Sequence, residues 1–435
     1  MYKVIVIGGG WSGCAAALTA KKAGAEVVVL EKTDMLLGLG NVGGIMRNNG
    51  RFTAAEENIV LGASELFRIT DSCSIHINVN FPGHKHASLY DVMKVEPEVR
   101  KLLKEKEIEI RFMTRAVDVI MESSERFDSK TDRTIKGLVL AGGETIEGDV
   151  FVETTGSTGG PGNCLTYGNG CCMCILRCPA FGPRVSIREK AGGSDIMGKR
   201  NDGAFGAFSG SGKLEKGSLS EEIVQTLHEK GVVIVPLPKS SVKKEKLDMK
   251  VCKQYALDEY ADNIILLDTG YAKIMTPFFD LEALREIPGF ERARFADPYA
   301  GGKGNSIRYL SVAERNNTMK AIGIENLFCG GEKSGLFIGH TEAISTGSLA
   351  GHNAVRWAKG MKLLELPVGI AVGDLIAFAN KSLEKEEGLM NRYTFAGAEY
   401  FARMKEKNLY TTDSEEISRR VSRYDLQRIY EEKLV

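Results

Sequence analysis

The stretch that most limits the fold is at the start. A short apolar run, Tyr2-Lys3-Val4-Ile5-Val6-Ile7, leads into Gly8-Gly9-Gly10-Trp11-Ser12-Gly13. The small helix formers Ala15-Ala16-Ala17-Leu18 follow, and a second apolar run, Val27-Val28-Val29-Leu30, ends at the acid Glu31. The order strand, turn, helix, strand, acid gives the GxGxxG spacing its meaning; the same glycines alone would be a bland turn. Gly8 permits the tight turn, Gly10 lets backbone approach a pyrophosphate, and Gly13 lets helix and strand pack closely. The helix start supplies unpaired N–H groups and a partial positive charge for phosphate. Glu31, at the tip of the second strand, is placed to accept hydrogen bonds from a ribose diol. The chain is therefore expected to bind a dinucleotide.

Composition sets the outer bounds. The 435 residues suffice for two or three domains, and 43% hydrophobic with 26% charged residues is ordinary for a globular protein. Lys plus Arg and Asp plus Glu both number 57, so the overall charge gives no pull toward nucleic acid. No apolar run approaches the roughly 18 residues of a membrane span. The chain opens directly on a strand without a signal-peptide pattern, so a cytoplasmic location is expected.

Cysteine usage is the unusual item: five of nine cysteines fall at Cys164, Cys171, Cys172, Cys174 and Cys178. Cys171, Cys174 and Cys178-Pro179 spell C-x2-C-x3-C-P, the tail of a ferredoxin-type cluster-binding run. With Cys164 as fourth ligand, or Cys172 in its place, they would hold a [4Fe-4S] cluster. A redox-active dithiol, a nucleophilic cysteine and a zinc site compete with that reading.

The rest of the chain supports the opening. The loop Gly38-Leu39-Gly40-Asn41-Val42-Gly43-Gly44 is rich enough in glycine to lay backbone on a flat cofactor, which makes Gly43 and Gly44 candidate contacts. Residues 53–70 and 96–106 read as helices, and 108–112, 117–121, 137–140 and 147–153 as strands. His84 and His86 follow a Pro82-Gly83 turn with no third ligand nearby, which argues against a metal. Residues 219–230 read as a helix with Ser220 as N-cap, 232–236 and 263–268 as strands, and the basic run 239–253 as a solvated face. Asn326-Leu327-Phe328-Cys329-Gly330-Gly331-Glu332 is a strand ending in Gly-Gly-acid, and a helix starts near His340. The tail reads as helical, with one charged helix over 419–433.

Three stretches together resemble the GidA-type FAD flavoproteins: the N-terminal fingerprint through Glu31; Ile287-Pro288-Gly289-Phe290-Glu291; and Asn326 through Glu332 continuing into Thr341-Glu342-Ala343, Ser345-Thr346-Gly347 and Leu349-Ala350-Gly351. Thr154-Thr155-Gly156 stands where such two-dinucleotide-fold flavoproteins carry a second fingerprint. The resemblance leaves out residues 165–280. It implies FAD, with Gly8, Gly10, Gly13, Glu31, Lys32, Val117, Gly156, Gly331 and Glu332 as contacts by position. Family members include tRNA-modifying enzymes, some of which carry a cysteine in the loop after the second strand; residues 39–44 have none.

The expected architecture is α/β: a Rossmann-like two-dinucleotide-binding FAD domain (1–164 and 301–365), an inserted α+β cysteine-cluster and substrate domain (165–300) and a helical C-terminal region (366–435). The first functional expectation is an FAD-dependent oxidoreductase. In it, a [4Fe-4S] cluster relays electrons between flavin and a carrier, with a small-molecule substrate and a ferredoxin-like or NAD(P)H partner. RNA modification by a cysteine nucleophile ranks second, and an electron-transfer or redox-sensing subunit third. A homo-oligomer is compatible with each.

Overall fold

The computed structural model describes residues 1–122, 133–157, 181–205, 207–208, 212–248, 250, 252–275, 280–296, 307–308 and 310–435. The two opening apolar runs form β1 (Lys3–Ile7) and β2 (Glu26–Leu30). With β3 (Glu109–Arg111), β4 (Val150–Glu153) and β5 (Leu327–Cys329) they make one parallel sheet in the order β5-β4-β1-β2-β3. A parallel sheet is covered on both faces, which is why its strands read as unbroken apolar runs. Alternation then divides them. Val4, Val6, Val27, Val29, Val150 and Val152 face a helical layer. Ile5, Ile7, Val28, Leu30 and Phe151 face the antiparallel sheet made by Ala116–Met121, Ile135–Leu140 and Thr145–Glu147. A one-residue slip of either strand would exchange the two sets, so the register is fixed by burial.

The helical layer contains α1 (Trp11–Lys22), α2 (Gly50–Val60), α3 (His340–Ala358) and α4 (Ala371–Ser382). Helices α1 and α3 approach closely because small residues line the contact. A methyl group on Gly347 would sit 2.2 Å from the Ser12 carbonyl oxygen, and one on Gly351 2.1 Å from that of Ala16. The Thr19 hydroxyl donates across the contact to the Ser348 carbonyl, 2.9 Å. No described helix is long and apolar enough to cross a membrane.

A second lobe stands on the sheet's carboxyl side. Its four-stranded antiparallel sheet runs in the order Gly212–Leu214, Tyr271–Ile274, Asn263–Thr269, Val232–Pro236. The helix Glu221–Lys230 covers one face, with the Ser220 hydroxyl accepting from the Ile223 N–H. The other face meets a three-stranded sheet built from Ile45–Arg47, His84–Tyr90 and Ser74–Phe81. The strands Ile45–Arg47, Ser74–Phe81 and His84–Tyr90, grouped with the nucleotide domain in the sequence-based division, thus pack on the second lobe, while the helices between them stay with the helical layer. In the basic run 239–253, Lys239, Lys243 and Lys244 are exposed as expected. Lys250 is not: it is buried, its Nζ donates to the carbonyls of Tyr255 and Met275 (3.1 Å each), and burial lowers its pKa to about 7.

Two expected helices are shorter than their periodicity suggested. Residues 53–70 split into α2 and Glu65–Ser72, because Gly62 takes a left-handed φ of +98° and ends the first. The charged helix over 419–433 is instead Ser414–Ser422, followed by left-handed Asp425 and Arg428. That turn carries Leu426 and Tyr430 into the core, where the Tyr430 N–H donates to the Leu61 carbonyl, 2.9 Å.

Glu57 of α2 caps α4. Its carboxylate accepts the backbone N–H groups of Ala371 (2.8 Å) and Val372 (2.9 Å), with Arg420 at 3.7 Å. Burial outweighs these contacts and pushes its pKa from 4.5 up to about 7. The native state therefore holds this proton more tightly than the unfolded chain. The resulting stability is full below the unfolded pKa and is lost as pH rises toward 7. The unfolding free energy from urea titrations is expected to fall between about pH 5 and pH 8, by at most about 3–4 kcal/mol from this group, and the fall to flatten over that window in Glu57→Gln. An unchanged slope in the variant would assign the pH dependence elsewhere.

Candidate functional site

One pocket opens at the carboxyl ends of β1, β2, β4 and β5, and the second lobe roofs it. The opening sequence builds its floor. Gly8 has φ +104°, and a methyl group there would lie 2.6 Å from the Thr154 carbonyl oxygen, so the turn rests directly on the end of β4. Gly13 packs α1 on that turn: a methyl group would meet the Gly8 carbonyl oxygen at 1.9 Å. At Gly10 and Gly156, by contrast, no atom of the described residues lies within 4 Å of where a Cβ would be. Both line the pocket, so bare backbone faces its interior.

Two acids mark the span. Glu31 is buried and pinned, its carboxylate accepting the N–H groups of Gly9 (2.8 Å) and Thr33 (2.9 Å) and the Thr33 hydroxyl. Glu332, beyond β5, accepts from the Ser157 hydroxyl at 2.9 Å. From β2 to β5 the sheet order crosses three strand spacings, about 14 Å. An extended dinucleotide lying across the strand ends, with its diphosphate over Gly10, reaches both acids.

The polar atoms left without partners fit an anionic, hydroxyl-rich ligand. Ser12 Oγ, at the start of α1, and Arg184 Nη1 are buried on pocket-lining residues and have no hydrogen-bond partner among the described residues. Arg184 is held by the Thr155 hydroxyl oxygen (3.3 Å from Nε) and lies 3.6 Å from Asp195. Asp195 is itself paired with buried Lys333, and the nearby cations hold its carboxyl below the usual range against the effect of burial.

His340 opens α3 at the pocket wall. The Tyr90 hydroxyl donates to the Gly40 carbonyl (3.1 Å), so its oxygen accepts from His340 Nδ1 (3.1 Å), which sets the tautomer. The imidazole ring rests on Gly43, where a methyl group would fall 1.7 Å from Cε1. Behind it, buried Arg51 of α2 binds Glu342 of α3 through Nε at 3.1 Å to each carboxylate oxygen. The same guanidinium donates to the Ile338 carbonyl and to Thr394.

Of the residues expected to hold the cofactor, Gly8, Gly10, Glu31, Lys32, Gly43, Gly156, Gly331 and Glu332 line this one pocket. Three do not. Gly13 serves helix packing. Gly44, with φ +82°, turns against Thr269 of the second lobe. Val117 is not among the lining residues, whereas its neighbour Ala116 is; the strand register shifts between Ala116 and Asp118. Cys164, Cys171, Cys174 and Cys178, together with Cys172, lie outside the described residues. Among the described residues no group of three or more His, Cys, Asp or Glu side chains is placed to hold a metal ion. Residues unforeseen from sequence are Ser12, Arg51, Arg184, Cys252, Gln254, Tyr255 and Lys273. Ser12 sits at a variable position inside the fingerprint, and Arg184 directly follows the Gly182-Pro183 turn; the others carry no local signal.

Comparison with known proteins agrees with this geometry. The family model described as "Glucose inhibited division protein A" matches residues 3–265 and 269–362, including most of the stretch that the sequence motifs left uncovered. Among individual relatives, the chain is 31% identical over 130 residues to the tRNA uridine 5-carboxymethylaminomethyl modification enzyme MnmG of Chlorobaculum tepidum. That match covers 28% of this chain and 20% of the relative, so it spans about a fifth of the relative's length. Among solved structures, Aquifex aeolicus GidA in its form II crystal superposes with a TM-score of 0.64 at 16% identity, covering 97% of this chain and 76% of that one. The form I crystal gives 0.62 at 15% identity, with 97% and 78% covered. At these identities the likeness is one of fold.

Proposed function

Because the chain belongs to the GidA family, we propose that its pocket holds FAD and that the loaded protein modifies a uridine in RNA. The observation that carries the FAD reading is the bare-backbone cradle at Gly10 and Gly156, set between Glu31 and Glu332 across the sheet. In this reading the N–H groups at the start of α1 and the Ser12 hydroxyl bind the diphosphate, with Arg184 as its counter-cation. Glu31 accepts from the adenosine ribose, and Glu332 from a ribityl hydroxyl. Bound flavin supplies two-electron transfer. The protein's own part is to orient the ring, to exclude water beneath the second lobe, and to hold the His340 proton on Nδ1 through Tyr90. RNA as substrate is supported by the activity of the MnmG relative, which acts on tRNA uridine.

This order reverses the one expected from sequence. The iron–sulfur relay rests on Cys164, Cys171, Cys174 and Cys178 alone, and neither the family match nor the MnmG relative supports it. The ferredoxin-like partner rests on the same cysteines.

The RNA reading is tested by mass spectrometry of nucleosides from tRNA and rRNA of a strain lacking the gene. One modified uridine is expected to disappear and to return when the gene is restored to the strain. A nucleoside profile identical to the parent strain's would contradict it.

A further inference from the structure

The pocket has a second end, walled by Cys252, Gln254, Tyr255 and Lys273 of the second lobe. Five pocket-lining residues carry a buried side-chain atom with no partner among the described residues: Trp11, Ser12, Arg115, Arg184 and Gln254. Gln254 is the one that the second lobe contributes. It is 5% exposed, and its Oε1 accepts nothing. The backbone beneath it is fixed from both sides. His84 Nε2 donates to the Gln254 carbonyl (3.1 Å), and Asn48 donates to His84 Nδ1 (2.8 Å). On the other side, a methyl group on Gly397 would lie 2.6 Å from Gln254 Cβ. The main chain is thus committed while the carboxamide is not. Buried polar groups are paired in native proteins, so a buried amide oxygen without a partner on a pocket-lining residue marks the place of a ligand group. The cations at this end are already committed: Arg51 to Glu342, Ile338 and Thr394, and Lys273 to the carbonyls of Val42 and Gly43.

We propose that Gln254 reads the imide edge of a planar heterocycle at this end of the pocket. A carboxamide offers an acceptor beside a donor, which complements an adjacent N–H and C=O. This is the geometry with which glutamine and asparagine read base edges. Two rings carry that edge under the proposed function, on which this assignment rests: the pyrimidine end of the flavin, and a uracil base.

The test uses the full chain with Gln254→Leu and, as a second variant of similar volume, Gln254→Met. Affinities are measured for FAD, riboflavin and ADP on the flavin-free protein, and for uridine 5′-monophosphate on the FAD-loaded protein. Binding of the flavin edge predicts about tenfold weaker FAD and riboflavin with unchanged ADP. Recognition of uracil predicts unchanged FAD, riboflavin and ADP, and about tenfold weaker uridine 5′-monophosphate. If the parent protein binds FAD and both variants match it with all four ligands, the Gln254 assignment is overturned and the FAD reading stands. If the parent protein does not bind FAD, both are overturned.

Discussion

Gly10→Val is expected to weaken FAD binding by at least about a hundredfold while leaving thermal unfolding of the flavin-free protein unchanged. The argument is local. Gly10 has φ −68° and ψ −179°, a conformation valine adopts without strain. No atom of the described residues lies within 4 Å of its Cβ position, so the first added carbon is unobstructed and the side chain enters the pocket where backbone should meet the diphosphate. Gly13→Val provides the contrast within one motif. There the first added carbon falls 1.9 Å from the Gly8 carbonyl oxygen, so the helix must leave the strand and the fold is damaged before any ligand is added. Fluorescence titration with FAD, alongside melting curves of the three proteins, separates the two effects. If Gly10→Val loses stability as Gly13→Val does, the cradle is a packing feature and not a binding surface.

The second large effect is on stability. Arg51→Met removes the cation from Glu342, which is fully buried and would keep only the Thr394 hydroxyl (2.7 Å) and the Phe395 N–H (2.8 Å) as donors. Breaking a buried pair from one side costs about 3–5 kcal/mol, because the remaining charge is stranded. Arg51→Met/Glu342→Met strands no charge and is expected to recover a large part of that loss. Urea unfolding of the single and double variants measures the coupling. A single variant within about 0.5 kcal/mol of the parent would mean that Glu342 is accommodated without Arg51.

What was legible in the sequence follows from how local each feature is. The parallel sheet was readable because Val27, Val28 and Val29 must be apolar on both faces, and the fingerprint because Gly8, Gly10 and Gly13 act within one turn. Gly331 and Glu332 were found in the same way, as a strand end. Arg51 and Glu342 stand 291 positions apart, and no local pattern pairs them. Gln254 lies in a run of lysines, and only the roofing of the pocket by the second lobe reveals it. Val117 does not line the pocket while its neighbour Ala116 does, and the register shift between Ala116 and Asp118 that separates them leaves no mark in the sequence. Gly62 ended a helix that periodicity alone carried onward, since a left-handed φ leaves no mark on a hydrophobic pattern. The cysteines at 164–178 made the strongest motif after the fingerprint and steered the functional ranking. The likeness to a tRNA uridine-modifying relative moved the proposal toward RNA.

The most direct test of the central claim is the flavin content of the purified chain, read from the absorbance spectrum and from the nucleotide released on heating after reconstitution with excess FAD and gel filtration. The account predicts close to one FAD per chain, and little or none in Gly10→Val. A parent protein that emerges without flavin after reconstitution would contradict it.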